Sequence, residues 1–87
     1  MLKVFCFTST WCGPCKTMKP IIKDIADSNT DKFEFVFVDI EEDQETAQFY
    51  GIRGVPTYVI VKEDKEVGRI VGSMSKDKVI DTLNSHV

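Results

Sequence analysis

The sequence predicts a single α/β domain in which three helices pack on a four-stranded mixed sheet. Its 87 residues are too few for two independent hydrophobic cores. Hydrophobic residues make up 43% of the chain and charged residues 29%, a balance typical of globular rather than disordered proteins. The apolar runs follow the order β-α-β-α-β-β-α, and the strand–helix–strand opening implies a right-handed parallel crossover. We therefore expect one domain over residues 1–87.

The first half of the chain contains two buried strands and one long helix. Residues 2–7 are almost continuously apolar, which is typical of a strand covered on both faces. From Cys12 onward, apolar residues recur at helical spacing between charged ones, which predicts the first helix, bent at Pro20. Residues 29–32 interrupt this helix, and the aromatic and β-branched residues 33–38 predict a central strand.

The second half predicts a short helix, a hairpin and a closing helix. Residues 41–50 are acidic at their start and stop at Gly51, as a short helix does. Residues 57–61 and 67–71 are β-rich runs on either side of five charged residues, and they predict an antiparallel hairpin. Ser75 suits the N-cap of the last helix. The buried face of that helix is expected to contain Val79, Ile80, Leu83 and Val87.

Charge and hydropathy argue against several functions. The chain has 11 basic and 14 acidic residues, a net charge of −3, and therefore offers no basic surface for nucleic acid or an anionic membrane. No apolar run approaches the length of a transmembrane helix. The first strand carries Lys3 and lacks the small-residue cleavage pattern of a signal peptide. We expect a cytoplasmic protein that binds neither nucleic acid nor membranes.

Two of the three cysteines lie three positions apart where the first strand passes into the first helix. Sulfurs at this spacing on a helix's first turn can close a small disulfide with little backbone movement. In the reduced form, Cys12 lies at the helix N-terminus, where unpaired N–H groups and the positive dipole end favour the thiolate. We predict that Cys12 attacks a substrate disulfide and that Cys15 resolves the mixed disulfide.

The residues around this pair suit exchange with a bulky partner. Gly13 leaves the sulfur unshielded, and Pro14 occupies a position where helices accept proline. Trp11 offers a flat apolar surface for docking. A structural zinc site needs two further ligands, and only Cys6 and His86 are available, so zinc is the less favoured interpretation.

Residues 11–16, Trp-Cys-Gly-Pro-Cys-Lys, resemble the active-site signature of the thioredoxin family. Residues 50–57, Tyr-Gly-Ile-Arg-Gly-Val-Pro-Thr, are similar to the family's segment before its fourth strand, where the bond preceding Pro56 would be cis. Pro20 and Gly72 also match, and the resemblance covers essentially the whole chain. It implies a minimal thioredoxin fold that starts at what is usually the family's second strand, as in the compact glutaredoxin-like form.

The resemblance implies a thiol–disulfide oxidoreductase, a protein-disulfide reductase that carries electrons on the Cys12–Cys15 pair without a cofactor. Its implied partners are disulfide-containing proteins and a separate thioredoxin-reductase-like electron donor, and a monomer suffices. The backbone of Val55 would pair with an extended substrate segment. The implied substrate groove consists of Trp11, Gly13, Pro14, Gly54, Val55, Pro56 and Gly72.

The sequence departs from the family at two positions. Family members usually bury an Asp six residues before the first active-site cysteine and pair it with a Lys on the next strand, whereas here Cys6 and Phe37 occupy these positions. The buried group thought to take the proton of Cys15 is therefore absent. We expect Cys15 to lose its proton to water or to the leaving thiolate of the substrate.

Two other functions remain open at this point. A glutathione-coupled, glutaredoxin-like oxidoreductase would suit the short length of the chain. A binding module that docks its partner irrespective of redox state would use the same groove. The Gly-Pro pair between the cysteines, residues 13 and 14, is typical of the reductants in the resembled family. It therefore favours the protein-disulfide reductase over these two alternatives.

Overall fold

The computed structural model describes residues 2–28 and 32–87, and its elements follow the predicted order. Residues 29–31, which belong to the predicted helix break, lie outside the described residues. The elements are β1 (Leu2–Thr8), α1 (Gly13–Ser28), β2 (Phe33–Asp39), α2 (Gln44–Phe49), β3 (Thr57–Lys62), β4 (Lys65–Val71) and α3 (Lys76–Asn84). None of the helices in the described ranges is long and apolar enough to cross a membrane.

The sheet has the strand order β2-β1-β3-β4. Strands β1 and β2 are parallel, as the predicted crossover requires, whereas β3 is antiparallel to both β1 and β4. In this register Phe7 lies opposite Thr57, and Thr57 lies opposite Val71. The end of β1, the start of β3 and the end of β4 therefore meet at one edge of the sheet.

Both faces of the sheet are covered, which explains the nearly continuous apolar runs in β1 and β3. Helices α1 and α3 cover one face, and full burial of each large aliphatic side chain there contributes about 1.5–3 kcal/mol. This first core contains Leu2, Val4, Cys6, Met18, Ile22, Ile25, Phe33, Tyr58, Ile60, Ile70, Val79 and Leu83. Helix α2 covers the other face, where the second core contains Phe7, Val38, Ala47, Val59 and Val61.

Helix α2 begins at Gln44, three residues later than the sequence predicts. The carboxylate of Asp39 accepts a hydrogen bond from the N–H of Glu41 at 2.8 Å, which holds the chain in a turn before the helix. Asp43 is the N-cap, and its carboxylate accepts from the side chain and the N–H of Thr46. These two hydrogen bonds lower the pKa of Asp43.

Two further boundaries differ from the prediction. Only Glu63 and Asp64 separate β3 from β4, and both have positive φ, as a tight two-residue hairpin turn of type I′ requires. The charged flanking residues thus belong to the strands. Ser75 caps α3 as predicted, but the helix ends at Asn84. The prediction that Val87 lines its buried face is wrong, because this residue lies beyond the helix and is 66% exposed.

Candidate active site

Cys12 and Cys15 form a disulfide at the start of α1, with their Cα atoms 5.3 Å apart. Cys12 immediately precedes the helix, and Cys15 lies in its first turn. The backbone N–H of Cys15 donates a hydrogen bond to Sγ of Cys12 at 3.2 Å. A donor of the first helical turn is therefore aimed at the predicted nucleophile, and it can stabilise a thiolate there.

The two cysteines of the disulfide are buried, but the residues next to them in the chain are exposed. Both cysteines are only 4% exposed. Trp11, in contrast, is 69% exposed, and Gly13 and Pro14 are exposed as well. A Cβ added to Gly13 would have no heavy atom within 4 Å. A large partner can therefore approach the pair from the side of these three residues.

The loop before β3 carries the second group of predicted groove residues. The Val55–Pro56 peptide bond is cis, as the resemblance implies. Pro56 is buried, and Val55 packs its side chain against the second core. The hydroxyl of Thr57 donates to the carbonyl of Gly54 at 2.7 Å, which fastens this exposed glycine to the start of β3. The loop is thus held by the second core and by the start of β3.

Gly72 joins this loop from the end of β4. Its N–H donates to the carbonyl of Pro56 at 2.9 Å, and its φ of +85° lies in the region that favours glycine. The loop after β1, the loop before β3 and the turn after β4 thus share one edge of the sheet. The structure therefore brings the residues of the predicted groove to the same edge as the disulfide.

Cys6 and Phe37, the two departures from the resembled family, are direct partners in the β1–β2 register. Cys6 is fully buried, and burial raises the pKa of its thiol to about 12. Phe37 has no titratable group and is 42% exposed. Tyr58, opposite Cys6 on β3, also has a raised pKa, first because of burial and second because of the neighbouring thiol. None of the three can accept a proton at neutral pH.

A cavity that the sequence did not predict has Cys15 in its wall. Its volume is about 310 Å³, and it is lined by residues 8–10, Cys15, Lys16, Lys19 and Asp39. We refer to it as the Cys15 cavity. Asp39 ends β2 and Thr8 ends β1, and the two are register partners. Because the carboxyl ends of parallel strands meet at one edge of a sheet, the predicted crossover was a signal for this proximity.

The cysteine pair has no further metal ligands arranged around it among the described residues. Within residues 2–28 and 32–87, no group of three or more His, Cys, Asp and Glu side chains is arranged to hold a metal ion. Cys6 is buried in the first core, and the ring of His86 lies against the backbone of Gly68. The two residues that zinc would need are thus engaged elsewhere in the fold.

Comparison with known proteins gives consistent matches. The family model described as "Thioredoxin" matches residues 2–85. Thioredoxin H2-1 from rice (Oryza sativa subsp. japonica) is 42% identical over 84 residues, which are 97% of this chain and 59% of that protein. Thioredoxin from Bacillus subtilis is 35% identical over 81 residues, 93% of this chain and 78% of that protein.

A solved structure is similar over the same extent. The crystal structure of the thioredoxin NaTrxh from Nicotiana alata superposes with a TM-score of 0.91 at 40% identity. The superposition covers 98% of this chain and 72% of that chain. The present chain spans 59% of the length of the rice relative and 78% of the Bacillus relative, so it corresponds to a part of each.

Proposed function

The chain belongs to the thioredoxin family of thiol–disulfide oxidoreductases, and we propose that it reduces disulfide bonds in protein substrates. The observation that carries this proposal is the Cys12–Cys15 disulfide at the start of α1, with the N–H of Cys15 directed at Sγ of Cys12. Once the disulfide is reduced, the same donor and the helix N-terminus favour a thiolate on Cys12, which is the form that attacks disulfides.

The reaction runs in two exchange steps. The Cys12 thiolate attacks one sulfur of the substrate disulfide, so that a Cys12–substrate bond forms and the second substrate sulfur leaves as a thiolate. Cys15 then loses its proton and attacks Sγ of Cys12. The Cys12–Cys15 bond forms, the mixed disulfide breaks, and the first substrate sulfur leaves. Two electrons pass from the cysteine pair to the substrate, and the protein ends in the form that the structure shows.

We propose that the substrate lies along the sheet edge that carries the disulfide. The exposed Trp11 provides a flat apolar contact at one side. The glycines at positions 13, 54 and 72 leave open space, since a Cβ at any of them would meet no heavy atom within 4 Å. The side chain of Val55 is held by the second core, so its backbone is the part that can pair with an extended substrate segment.

The proposed cycle requires an electron donor and a reducing environment. We propose that a separate thioredoxin-reductase-like enzyme returns the Cys12–Cys15 pair to the dithiol form, and that the protein acts as a monomer in the cytoplasm. The matched relatives are named thioredoxins, which supports this choice of donor over glutathione. The free thiol of Cys6 is also typical of proteins in reducing compartments.

Reduction of insulin disulfides under two recycling systems tests the proposal. In one, NADPH and a bacterial thioredoxin reductase supply electrons; in the other, glutathione and glutathione reductase supply them. We expect turnover in the first system, little in the second, and none with Cys12→Ser in either. Turnover with glutathione alone would overturn the proposed donor. If the protein fails to reduce insulin even after reduction by dithiothreitol, the proposed function is wrong.

A further inference from the structure

The Cys15 cavity takes no part in the exchange steps described above, yet the resolving cysteine forms part of its wall. Neither Cys12 nor any residue of the proposed substrate groove lines it. We propose that Asp39, rather than bulk water or the leaving substrate thiolate expected from the sequence, accepts the proton of the Cys15 thiol across this cavity when the mixed disulfide is resolved. The inference rests on the proposed function, because it concerns the second exchange step.

Cys15 needs such an acceptor because its surroundings provide few others. The residue is 4% exposed, so its thiol has little direct contact with bulk water. Cys6 is a neutral thiol at physiological pH, since burial raises its pKa to about 12, and a group that already holds its proton is no base. Phe37 has no titratable atom. The Cys15 cavity, which is lined by hydroxyl, ammonium and carboxylate groups as well as by Cys15, is therefore the route that we consider for the proton.

Asp39 is held in place at the carboxyl end of the parallel strands β1 and β2. It is the register partner of Thr8, and the N–H of Ile40 donates to the carbonyl of Thr8 at 2.9 Å. One carboxylate oxygen, Oδ1, accepts from the N–H of Glu41 at 2.8 Å. The other oxygen has no hydrogen-bond partner among the described residues. A carboxylate that is fixed through one oxygen and open at the other is suited to receive a proton.

Ser9 supplies an independent indication that the cavity holds water. Its side-chain oxygen is buried and has no hydrogen-bond partner among the described residues, and the residue is only 7% exposed. Buried polar groups are normally satisfied by protein or by ordered water. The volume of about 310 Å³ has room for several waters at roughly 30 Å³ each. A hydroxyl that both donates and accepts can join such waters into a path for a proton.

The charged groups around the cavity favour the thiolate of Cys15. Lys16 and Lys19 extend from α1, and Asp39 faces them from β2. The two ammonium groups favour the thiolate over the thiol at Cys15. Asp39 supplies the one carboxylate among the described residues that line the cavity. The charges thus lower the cost of forming the attacking thiolate.

Resolution of the mixed disulfide combines one proton transfer with one thiol–disulfide exchange. The S–H bond of Cys15 breaks, and the proton passes through water to the open oxygen of Asp39. The Cys15 thiolate attacks Sγ of Cys12, the Cys12–Cys15 bond forms, and the bond to the substrate breaks with its electron pair on the substrate sulfur. Asp39 then releases the proton to solvent, from which the departing thiolate is protonated. No external oxidant or reductant is needed.

Stopped-flow reaction of the reduced protein with dithiobis(nitrobenzoate) separates the two steps. Attack by Cys12 releases one coloured thiolate in a phase that depends on reagent concentration, and resolution by Cys15 releases the second in a phase that does not. This leaving thiolate is stable without a proton, so the second phase reports on Cys15.

Asp39→Asn keeps an oxygen that can accept a hydrogen bond from the N–H of Glu41 but removes the base. Asp64→Asn, in the β3–β4 turn, makes the same change of charge outside the cavity.

We expect Asp39→Asn to leave the first phase unchanged and to slow the second about tenfold or more near pH 7, as loss of a general base does. The second phase of this variant should also rise more steeply with pH than that of the wild type, and Asp39→Glu should restore part of the rate. A second phase equal to the wild type's, or equal slowing by Asp64→Asn, would overturn the inference. Absence of the first phase in the wild type would instead contradict the proposed function.

Discussion

The backbone N–H of Cys15 donates a hydrogen bond to Sγ of Cys12 at 3.2 Å, beside the disulfide that joins the same two residues. This donor belongs to the first turn of α1, where N–H groups have no partner within the helix. The helix therefore favours a thiolate at Cys12, which attacks the substrate, and Cys15 is left to resolve the mixed disulfide. The different roles of the two cysteines follow from this asymmetry.

The first prediction concerns the two cysteines themselves. Cys12→Ser should abolish reduction of protein disulfides, because the attacking sulfur is lost. Cys15→Ser should stop after the first step and accumulate a mixed disulfide between Cys12 and the substrate, visible by mass spectrometry and released by dithiothreitol. Cys6→Ala is the control, since this buried thiol takes no part in the exchange. Full activity of Cys12→Ser would contradict the assignment.

The second prediction concerns docking at Trp11, which is 69% exposed. Trp11→Ala should raise the KM for a protein substrate about tenfold, equivalent to about 1.4 kcal/mol, with little change in kcat or in folding stability. Phe49→Ala is the matched control, because Phe49 is an aromatic residue that is 81% exposed and lies outside the proposed groove. Equal KM effects of the two substitutions would argue against a specific docking role for Trp11.

The third prediction tests the open space at Gly13. A side chain fits there without a clash, since a Cβ would have no heavy atom within 4 Å. Gly13→Leu should therefore fold normally but slow the reaction with a large protein disulfide, whereas the reaction with dithiobis(nitrobenzoate) should change little. Gly13→Ala should lie between the wild type and the leucine variant. The ratio of the two rate constants is the measurement, and an unchanged ratio would show that access to the sulfur is not limiting.

The fourth prediction follows from the pKa of Cys6, which burial raises from 9.0 to about 12. Between these values the unfolded chain has lost a proton that the folded protein keeps, so the free energy of unfolding falls as pH rises. One such group contributes a slope of up to about 1.4 kcal/mol per pH unit. Cys6→Ala should reduce this decrease in the free energy of unfolding. Tyr58, whose pKa is also raised, should account for part of the decrease that remains.

Urea unfolding of the disulfide form at about pH 8 and about pH 10.5 measures this effect, since Cys12 and Cys15 do not titrate while bonded. Cys6→Ala also leaves a small cavity in the first core, which lowers stability at every pH. The readout is therefore the change between the two pH values and not the stability at either one. If the free energy of unfolding fell by the same amount between the two pH values in the wild type and in Cys6→Ala, the raised pKa of Cys6 would be contradicted.

Local patterns in the sequence predicted those features that depend on neighbouring residues. The apolar run of β1 and the helical spacing after Cys12 placed the cysteine pair at a strand-to-helix turn, and Ser75 marked the start of α3. The start of α2 was missed because acidic residues suit a helix N-terminus by charge alone. In the structure, the carboxylate of Asp39 instead captures the N–H of Glu41 and delays the helix.

Features that depend on register between distant segments were not predictable in this way. Asp39 faces the Cys15 cavity because β2 pairs with β1 residue by residue, up to the Thr8–Asp39 pair. A shift by one residue would turn that side chain to the other face of the sheet. Likewise, the two-residue turn at Glu63 and Asp64 depends on where β3 and β4 stop pairing. Because residues 62–66 are all charged, the sequence does not indicate which of them belong to the strands.

The central claim is that Cys12 and Cys15 form a redox couple that works as a reductant. Titration of the pair against a defined thiol/disulfide buffer, read by alkylation and mass, tests it most directly. We predict one two-electron transition with a midpoint below roughly −230 mV, in the range of dithiol proteins that act as reductants. A midpoint clearly above this value, or a pair that stays in one state across the whole range of buffers, would contradict the claim.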